Sequence, residues 1–505
     1  MSKKIACLLL VMVLVVSSAG MTGYARQPDR TFTYEGEGEE INAVPSTNVY
    51  QVKLVIDENT MGCTRMTEPT DIFVDDNDRI FVLDAGNCRV LVLDKDYRCT
   101  NILKDFVYNG ETITLKEGAK GLFYRESNQM LYIADTENNR IIVSDLQGNV
   151  SKIFEKPVDE LLDPKIPYKP QKIIVDNMGI IYVTSGMVNT GAMMIDANNN
   201  FLGFFGISKL KLTAAMQLEF FWRSILTKEM NAQSTESFQP VEYYNLFWSK
   251  DRFVYAVSPV SEKVAASAVK LNALGSNVFP QNTDFVTIQN NSNAFAIQSG
   301  SNSAFSNSTL SLYLVDITVD DEGIYTILDQ KSGRLFQFDE NCNMLAIFGG
   351  TGYQKGLFTR PTSIETHEES NILVLDAAKN TITVMERTYY GQVIKDANRL
   401  YNEGRYTESI EPWMDVLRMN ANYTQAYTGL GKAYYGLKDY EKAMEFFKNG
   451  KDQAGYAEAK AALRDETVRE YFGLIAAIVI IAMIGILGYD QIKMLILRIY
   501  WRIRK

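Results

Sequence analysis

Along most of this chain hydrophobic and polar residues alternate with a period of two, in short runs such as IFVLD, RVLVL, MLYIAD and RIIVS, broken by polar turns such as DDND, DANNN and DENCN. Side chains two apart share one face of a strand, so the pattern predicts many short β-strands joined by tight turns. Past residue 390 the apolar spacing lengthens to 3.6 and predicts amphipathic helices. Alternation then stops in YFGLIAAIVIIAMIGILGY, 19 uncharged residues from Tyr471 to Tyr489. As a helix this run is about 28 Å long, enough to cross a bilayer with aromatic residues at both edges. At the other end Lys3 and Lys4, an apolar run from Ile5 to Val16 and small residues ending at Ala25 predict an export signal cleaved after Ala25, with Ala19 as a second site. The expected organisation is a signal over 1–25, an exported linker over 26–48, a β region over 49–388, helices over 390–470, a transmembrane helix over 471–489 and a basic tail over 490–505.

The β region repeats itself. PTDIFVDDNDRIFVLDAGNCRVLVLDKDYRCTNIL from Pro69 and AKGLFYRESNQMLYIADTENNRIIVSDLQGNVSKIF from Ala119 align through their middles, placing Asp84 with Asp135 and Arg89 with Arg140, 51 residues apart. A copy from Pro170 keeps the strands but has Ser185 at the Asp position. A later copy restores Asp329 and Arg334, and the last supplies Asp376. A degenerate copy lies around residues 242–279. A unit of about four strands has two faces to bury and cannot bury both alone, so six copies predict six blades packed around an axis. The last copy ends after its third strand at Arg387, and VYQVKLVID (Val49–Asp57) is a strand without a partner in its own copy. It is expected to complete the last blade and close the ring.

Residues 347–364, IFGGTGYQKGLFTRPTSI, crowd Gly349, Gly350, Gly352, Gly356 and Pro361 around Lys355. A phosphate-binding loop needs Ser or Thr after the lysine, and Gly356 stands there; a dinucleotide fingerprint needs a following helix, and β-branched sequence follows. This loop, with LYIADTENNRIIV and IFVLDAGNCRVLV, resembles the NHL repeat over roughly residues 49–388. The resemblance implies a mainly β fold, a six-bladed β-propeller, in which the recurring Asp and Arg residues are structural and the loop at Gly349, Gly350 and Pro361 links two blades.

Composition narrows the chemistry. The net charge of −10 sits mostly in the 445 residues between signal and membrane helix, which speaks against a nucleic-acid surface. Removing Cys7 with the signal leaves Cys63, Cys88, Cys99 and Cys342, with no CxxC, and His367 is the single histidine, so no thiolate or imidazole metal cage and no cofactor are expected. Cys63 and Cys88 fall at one end of the first blade and form a candidate disulfide; Cys99 aligns with Met344 and is expected in the core. Six-bladed sugar lactonases resemble this architecture and hold a divalent ion with acidic and Asn ligands, which keeps a gluconolactonase-like hydrolase as an alternative. Streptogramin-lyase-like propellers use histidine, whereas His367 is expected to be solvated in the turn THEESN. Two insertions, a helical one over 207–234 and a Ser/Asn-rich one over 289–309, both fall on links between blades at one end of the ring, which marks that end as a partner surface.

In the helical region Tyr406 and Tyr440 lie 34 residues apart, and Leu430, Gly431, Tyr434, Tyr440, Ala443 and Phe447 follow a small-and-large pattern. The region resembles tetratricopeptide (TPR) repeats over about 390–458, which implies helix-packing roles for these residues and a capping helix from Glu458 to Glu470. In the tail Lys493, Arg498, Arg502, Arg504 and Lys505 outnumber Asp490. Cationic flanks stay inside, so the β region is expected outside the cell membrane and the C-terminus in the cytoplasm. The tail also suits a helix lying on anionic lipid, and both readings of its charge stand. The functional expectation is a membrane-anchored extracytoplasmic binding or assembly protein. Its expected partners are an envelope protein complex, for instance a carbohydrate transporter, or a glycan.

Overall fold

The computed structural model describes residues 31–35, 42–162, 164–186, 191–206, 243–258, 268–279, 312–368 and 370–504. The chain forms two compact units, residues 1–392 and 393–505.

In the first unit antiparallel sheets form a six-bladed β-propeller. The inner strand of each blade, strand a, is Asp71–Val74 in blade one, Gly121–Arg125 in two, Pro170–Val175 in three, Asn245–Trp248 in four, Leu314–Val319 in five and Pro361–His367 in six. Each strand a packs on those of the blades before and after it, and blade six returns to blade one. Strand b is covered on both faces by neighbouring blades. Hence Ile80–Asp84, Tyr325–Asp329 and Asn371–Asp376 are buried along their whole length. The ring closes through Tyr50–Ile56, which pairs antiparallel with Thr381–Arg387 as the fourth strand of blade six, Ile56 opposite Ile382.

The turns explain the polar sequences between strands. Asp75, Asp176 and Asp320 end strand a, and each accepts hydrogen bonds from the N–H groups two and four residues on, at 2.8–3.0 Å. Asp94, Asp145, Asp196 and Asp339 do the same between strands c and d. An aspartate that binds its own backbone fixes a tight turn better than a generic polar residue. A bulge recurs between strands c and d, at Val92/Leu93, Val143/Ser144, Met194/Ile195, Gln337/Phe338 and Val384/Met385, and bulges of this kind increase strand twist.

Three features depart from the sequence expectations. The stretch read as a linker supplies strands Phe32–Glu35 and Asn42–Pro45, a hairpin that pairs through Phe32 with Ile347 and covers the outer edge of blade five. A second hairpin, Asp105–Tyr108 with Glu111–Thr114, stands between blades one and two and buries Phe106 completely. Blade four has three described strands, Asn245–Trp248, Val254–Val257 and Ala268–Leu271.

The second unit is helical: α1 is Tyr406–Met419, α2 Thr424–Gly436, α3 Tyr440–Asn449 and α4 Gln453–Ile503. Small residues let the helices approach. A Cβ on Gly429 would lie 2.5 Å from Trp413, and one on Gly431 would lie 2.6 Å from Phe447. Leu430, Ala443 and Phe447 are buried, Tyr434 stacks on Phe446 with centroids 5.3 Å apart, and Tyr440 meets Tyr435 edge-on. Tyr406 packs where a Cβ on Gly436 would fall. The expected capping helix, membrane span and tail are one continuous helix, and no proline interrupts 453–503. Its part from Gln453 to Ile486 contains a run long and apolar enough to cross a membrane, and none of that run is buried in protein.

Candidate functional site

Strand register identifies the residues that face one another at the axis. Ile72, Leu122, Ile173, Leu246, Ile317 and Ile364 each pair with the equivalent residue of strand b, so they are one repeat position. The residues just before them are therefore equivalent too: Asp71, Gly121, Lys172, Asn245, Asp316 and Ser363, one per blade. Five of the six are polar, and they form a network. Lys172 donates to both oxygens of Asp71 at 2.8 and 2.9 Å. Ser363 Oγ lies 3.0 Å from Asp71 and 2.6 Å from Asp316, and Asn245 donates to Asp316. The Leu122 N–H donates to Asp71 and the Ile364 N–H to Asp316, both at 2.8 Å.

Gly121 makes this network possible. A Cβ there would sit 2.1 Å from the Gln171 carbonyl, so only glycine lets blade three close in, and Lys172 then reaches past blade two to Asp71. Burial lifts the Asp316 carboxyl to about 6; Lys172 opposes that rise and Asp71 adds to it. Lys172 itself stays above its ordinary range because the nearby carboxylates outweigh its burial.

Two residues further along, strand a contributes Phe73, Phe123, Ile174, Phe247, Thr318 and Glu365. The wall is thus apolar on blades one to four and polar on five and six. Phe73 and Phe123 pack at 5.1 Å between centroids. Glu365 is 7 % exposed. Its Oε2 accepts from Thr318 Oγ1 and the Thr366 N–H, each at 3.3 Å. Among the described residues nothing bonds its Oε1. Burial raises the Glu365 carboxyl well above the carboxylate range, against the pull of Lys172 and with help from Asp316 and Asp71.

Phe73, Phe123, Phe247 and Glu365 line a cavity of about 820 Å³ at the end of the ring formed by the a-to-b turns. Its walls include Phe73, Phe123, Phe247, Trp248 and Glu365, and its mouth carries Asp76, Asp78, Glu126, Asp321, Glu322 and Glu368 against the cations Arg125 and Lys250. Lys250 is held by Asp321 at 2.7 Å. Lys53 pairs with Glu368 at 3.4 Å and Arg79 lies 3.8 Å from Glu126, which leaves an acidic excess at the mouth over an aromatic interior. The size suits a small ligand. Among the described residues, no three His, Cys, Asp or Glu side chains are grouped as metal ligands.

The residues that recur in the sequence lie at the opposite end. Asp84 accepts from the Thr67 N–H at 2.7 Å, from Asn87 and from Arg89 Nε at 2.6 Å. Asp135 binds the Lys116 N–H, Asn138 and Arg140. Asp329, opposite Arg334 in the ladder, binds the Tyr313 N–H, and Asp376 binds those of Thr359 and Arg360. Ser185 accepts from Lys169 N at 3.0 Å and so replaces the missing aspartate. In each case the side chain ties down the link that enters its own blade.

In the glycine loop Gly349 has φ +81°, and the Phe358 N–H bonds the Gly350 carbonyl at 2.7 Å, so backbone geometry accounts for these glycines up to Pro361, which opens strand a of blade six. The insertions over 207–234 and 289–309 lie outside the described residues.

Two expectations are corrected. His367 is not solvated: it is 1 % exposed, the last residue of strand a, packed on Tyr97 at 5.3 Å between centroids and lining the cavity. Among the described residues neither ring nitrogen completes a hydrogen bond, and burial lowers its basicity despite Glu368 Oε2 at 3.9 Å. Cys63 and Cys88 are both free thiols. They pack on different cores, Cys63 with Cys99 beside Ile56 and Ile80 and Cys88 beside Phe81 and Leu83, and the Cys99 thiol is pushed up to about 12 by burial and by its contact with Cys63.

No family model and no curated protein matches the chain. Solved structures similar to it include virginiamycin B lyase from Staphylococcus aureus, at 10 % identity and TM-score 0.39 over 67 % of this chain and 100 % of that one. Hydrazine synthase of Kuenenia stuttgartiensis matches at 10 % identity and 0.39 over 65 % and 97 %. The extracellular domain of a one component system of B. thetaiotaomicron matches at 13 % and 0.33 over 69 % and 36 %. At such values none of them lends this chain an activity or a ligand.

Proposed function

We propose that this chain is a membrane-anchored extracytoplasmic binding protein whose propeller, built of NHL-type repeats, takes up a small ligand in the axial cavity. Its helical unit, of TPR type, then serves assembly with an envelope protein complex, such as a carbohydrate transporter. One observation carries the reading. The axial cavity is lined by aromatic side chains and by hydrogen-bonding groups already held in place by their own strands and turns, an arrangement that suits recognition. The cytoplasmic end is assigned to the tail by its five basic residues against Asp490.

A second reading has its own support. Asp71 paired with Lys172, beside two carboxyls shifted upward by burial, is the kind of divided environment that acid–base catalysts use, so a lactone hydrolase is the alternative. The full-length protein in detergent, incubated with sugars and sugar lactones, separates the two. Binding predicts a rise in melting temperature with compounds recovered unchanged. Lactone opening that is lost in Glu365→Gln overturns binding in favour of turnover.

A further inference from the structure

The axial cavity combines two features that one ligand chemistry satisfies together. Its apolar wall carries the aromatic side chains Phe73, Phe123, Phe247 and Trp248. Its polar wall ends in Glu365, which is more than nine-tenths buried yet, among the described residues, leaves one carboxyl oxygen without a partner at the cavity surface. Beneath it Asp71 and Asp316 share Lys172, so among the described residues three buried carboxyl groups stand against one ammonium. A charge buried without a counter-ion is expensive, and a carboxyl group in that position keeps its proton until a cation arrives.

Resting on the proposed binding role, we infer that the axial cavity is a site for a small organic ammonium: its charge pairs with Glu365 Oε1 and its apolar body lies on the phenylalanine wall. Aromatic faces attract ammonium groups through the ring quadrupole, most strongly where water is excluded. The acidic mouth draws such ligands in, since Asp76, Asp78, Glu126, Asp321, Glu322 and Glu368 surround it. A neutral sugar would use the carboxylate but gain nothing from the excess negative charge, and an anion would be repelled at both levels. Binding of the ammonium should ionise Glu365 and release its proton. The groups that set this titration are Lys172, Asp71 and Asp316 below, Thr318 and Thr366 beside it, and His367 with Glu368 and Asp78 at the mouth.

Isothermal titration calorimetry on the full-length protein in detergent tests the inference with three probes of one shape: phenethylammonium, phenethyl alcohol and 3-phenylpropionate. The ammonium should bind at least about tenfold more tightly than the alcohol. Runs in two buffers of different ionisation enthalpy should show proton release that Glu365→Gln abolishes. In that variant affinity for the ammonium should fall to that of the alcohol, while the melting temperature, measured alongside, holds or rises. Equal binding of alcohol and ammonium, unchanged in Glu365→Gln, leaves a binding cavity but overturns the cation site. No binding of any probe at millimolar concentration overturns it as well, and a ligand recovered from the native protein would then still uphold the binding role.

Discussion

Asp316 shows how much one residue at the axis can report. Its carboxyl is buried, and it titrates at about 6 where an unfolded aspartate titrates near 3.8. The folded state therefore holds a proton that the unfolded chain has already released, so its contribution to stability is full below about pH 4 and is lost as pH rises through about 6. The difference amounts to about 3 kcal/mol. Asp316→Asn removes the titration while keeping the bonds from Ser363 and Asn245 within reach. Denaturant unfolding at several values between about pH 4 and pH 7 should show wild type losing about that much relative to the variant; parallel curves would contradict the assignment. The aspartates at 84, 135, 329 and 376 were legible in the sequence because the same residue returns at each copy. The axial ring was not, because its column reads Asp, Gly, Lys, Asn, Asp, Ser. A column that is polar or glycine in every copy, immediately before an Ile or Leu, was the available signal. His367 was misread for a related reason: THEESN reads as a turn, but its first two residues still belong to the strand.

At the scale of elements, closure of the ring by Tyr50–Ile56 follows from a count of strands, since the last copy lacks its fourth and the outer edge of its third strand would remain exposed. The hairpin on blade five was not legible, because the four-residue strands Phe32–Glu35 and Asn42–Pro45 are too short to show a period. Helix α4 joins segments that differ in composition, and its 51 residues extend about 76 Å, more than twice a bilayer core. Its orientation can be measured. With an epitope after Lys505, protease added outside intact cells should degrade the propeller and leave the epitope protected inside. A cleaved epitope beside an intact propeller would reverse the proposed topology.

For the whole molecule, the two ends of the propeller divide their tasks. The end with the blade links carries the recurring aspartates that hold those links, together with the attachment points of both insertions at Gly206, Tyr243, Phe279 and Leu312. The other end carries the cavity. Sequence reasoning favoured the first end because insertions are conspicuous, whereas a cavity exists only once six strands that differ in sequence meet at an axis. The most direct measurement is native mass spectrometry of the full-length protein released from its own membrane, compared with Phe123→Trp, whose larger side chain fills the cavity from its apolar wall. One small molecule bound per chain in wild type and none in the variant, at equal melting temperature, is the predicted result. The same occupancy in both, or a ligand retained after the cavity is filled, would move the site away from the axis.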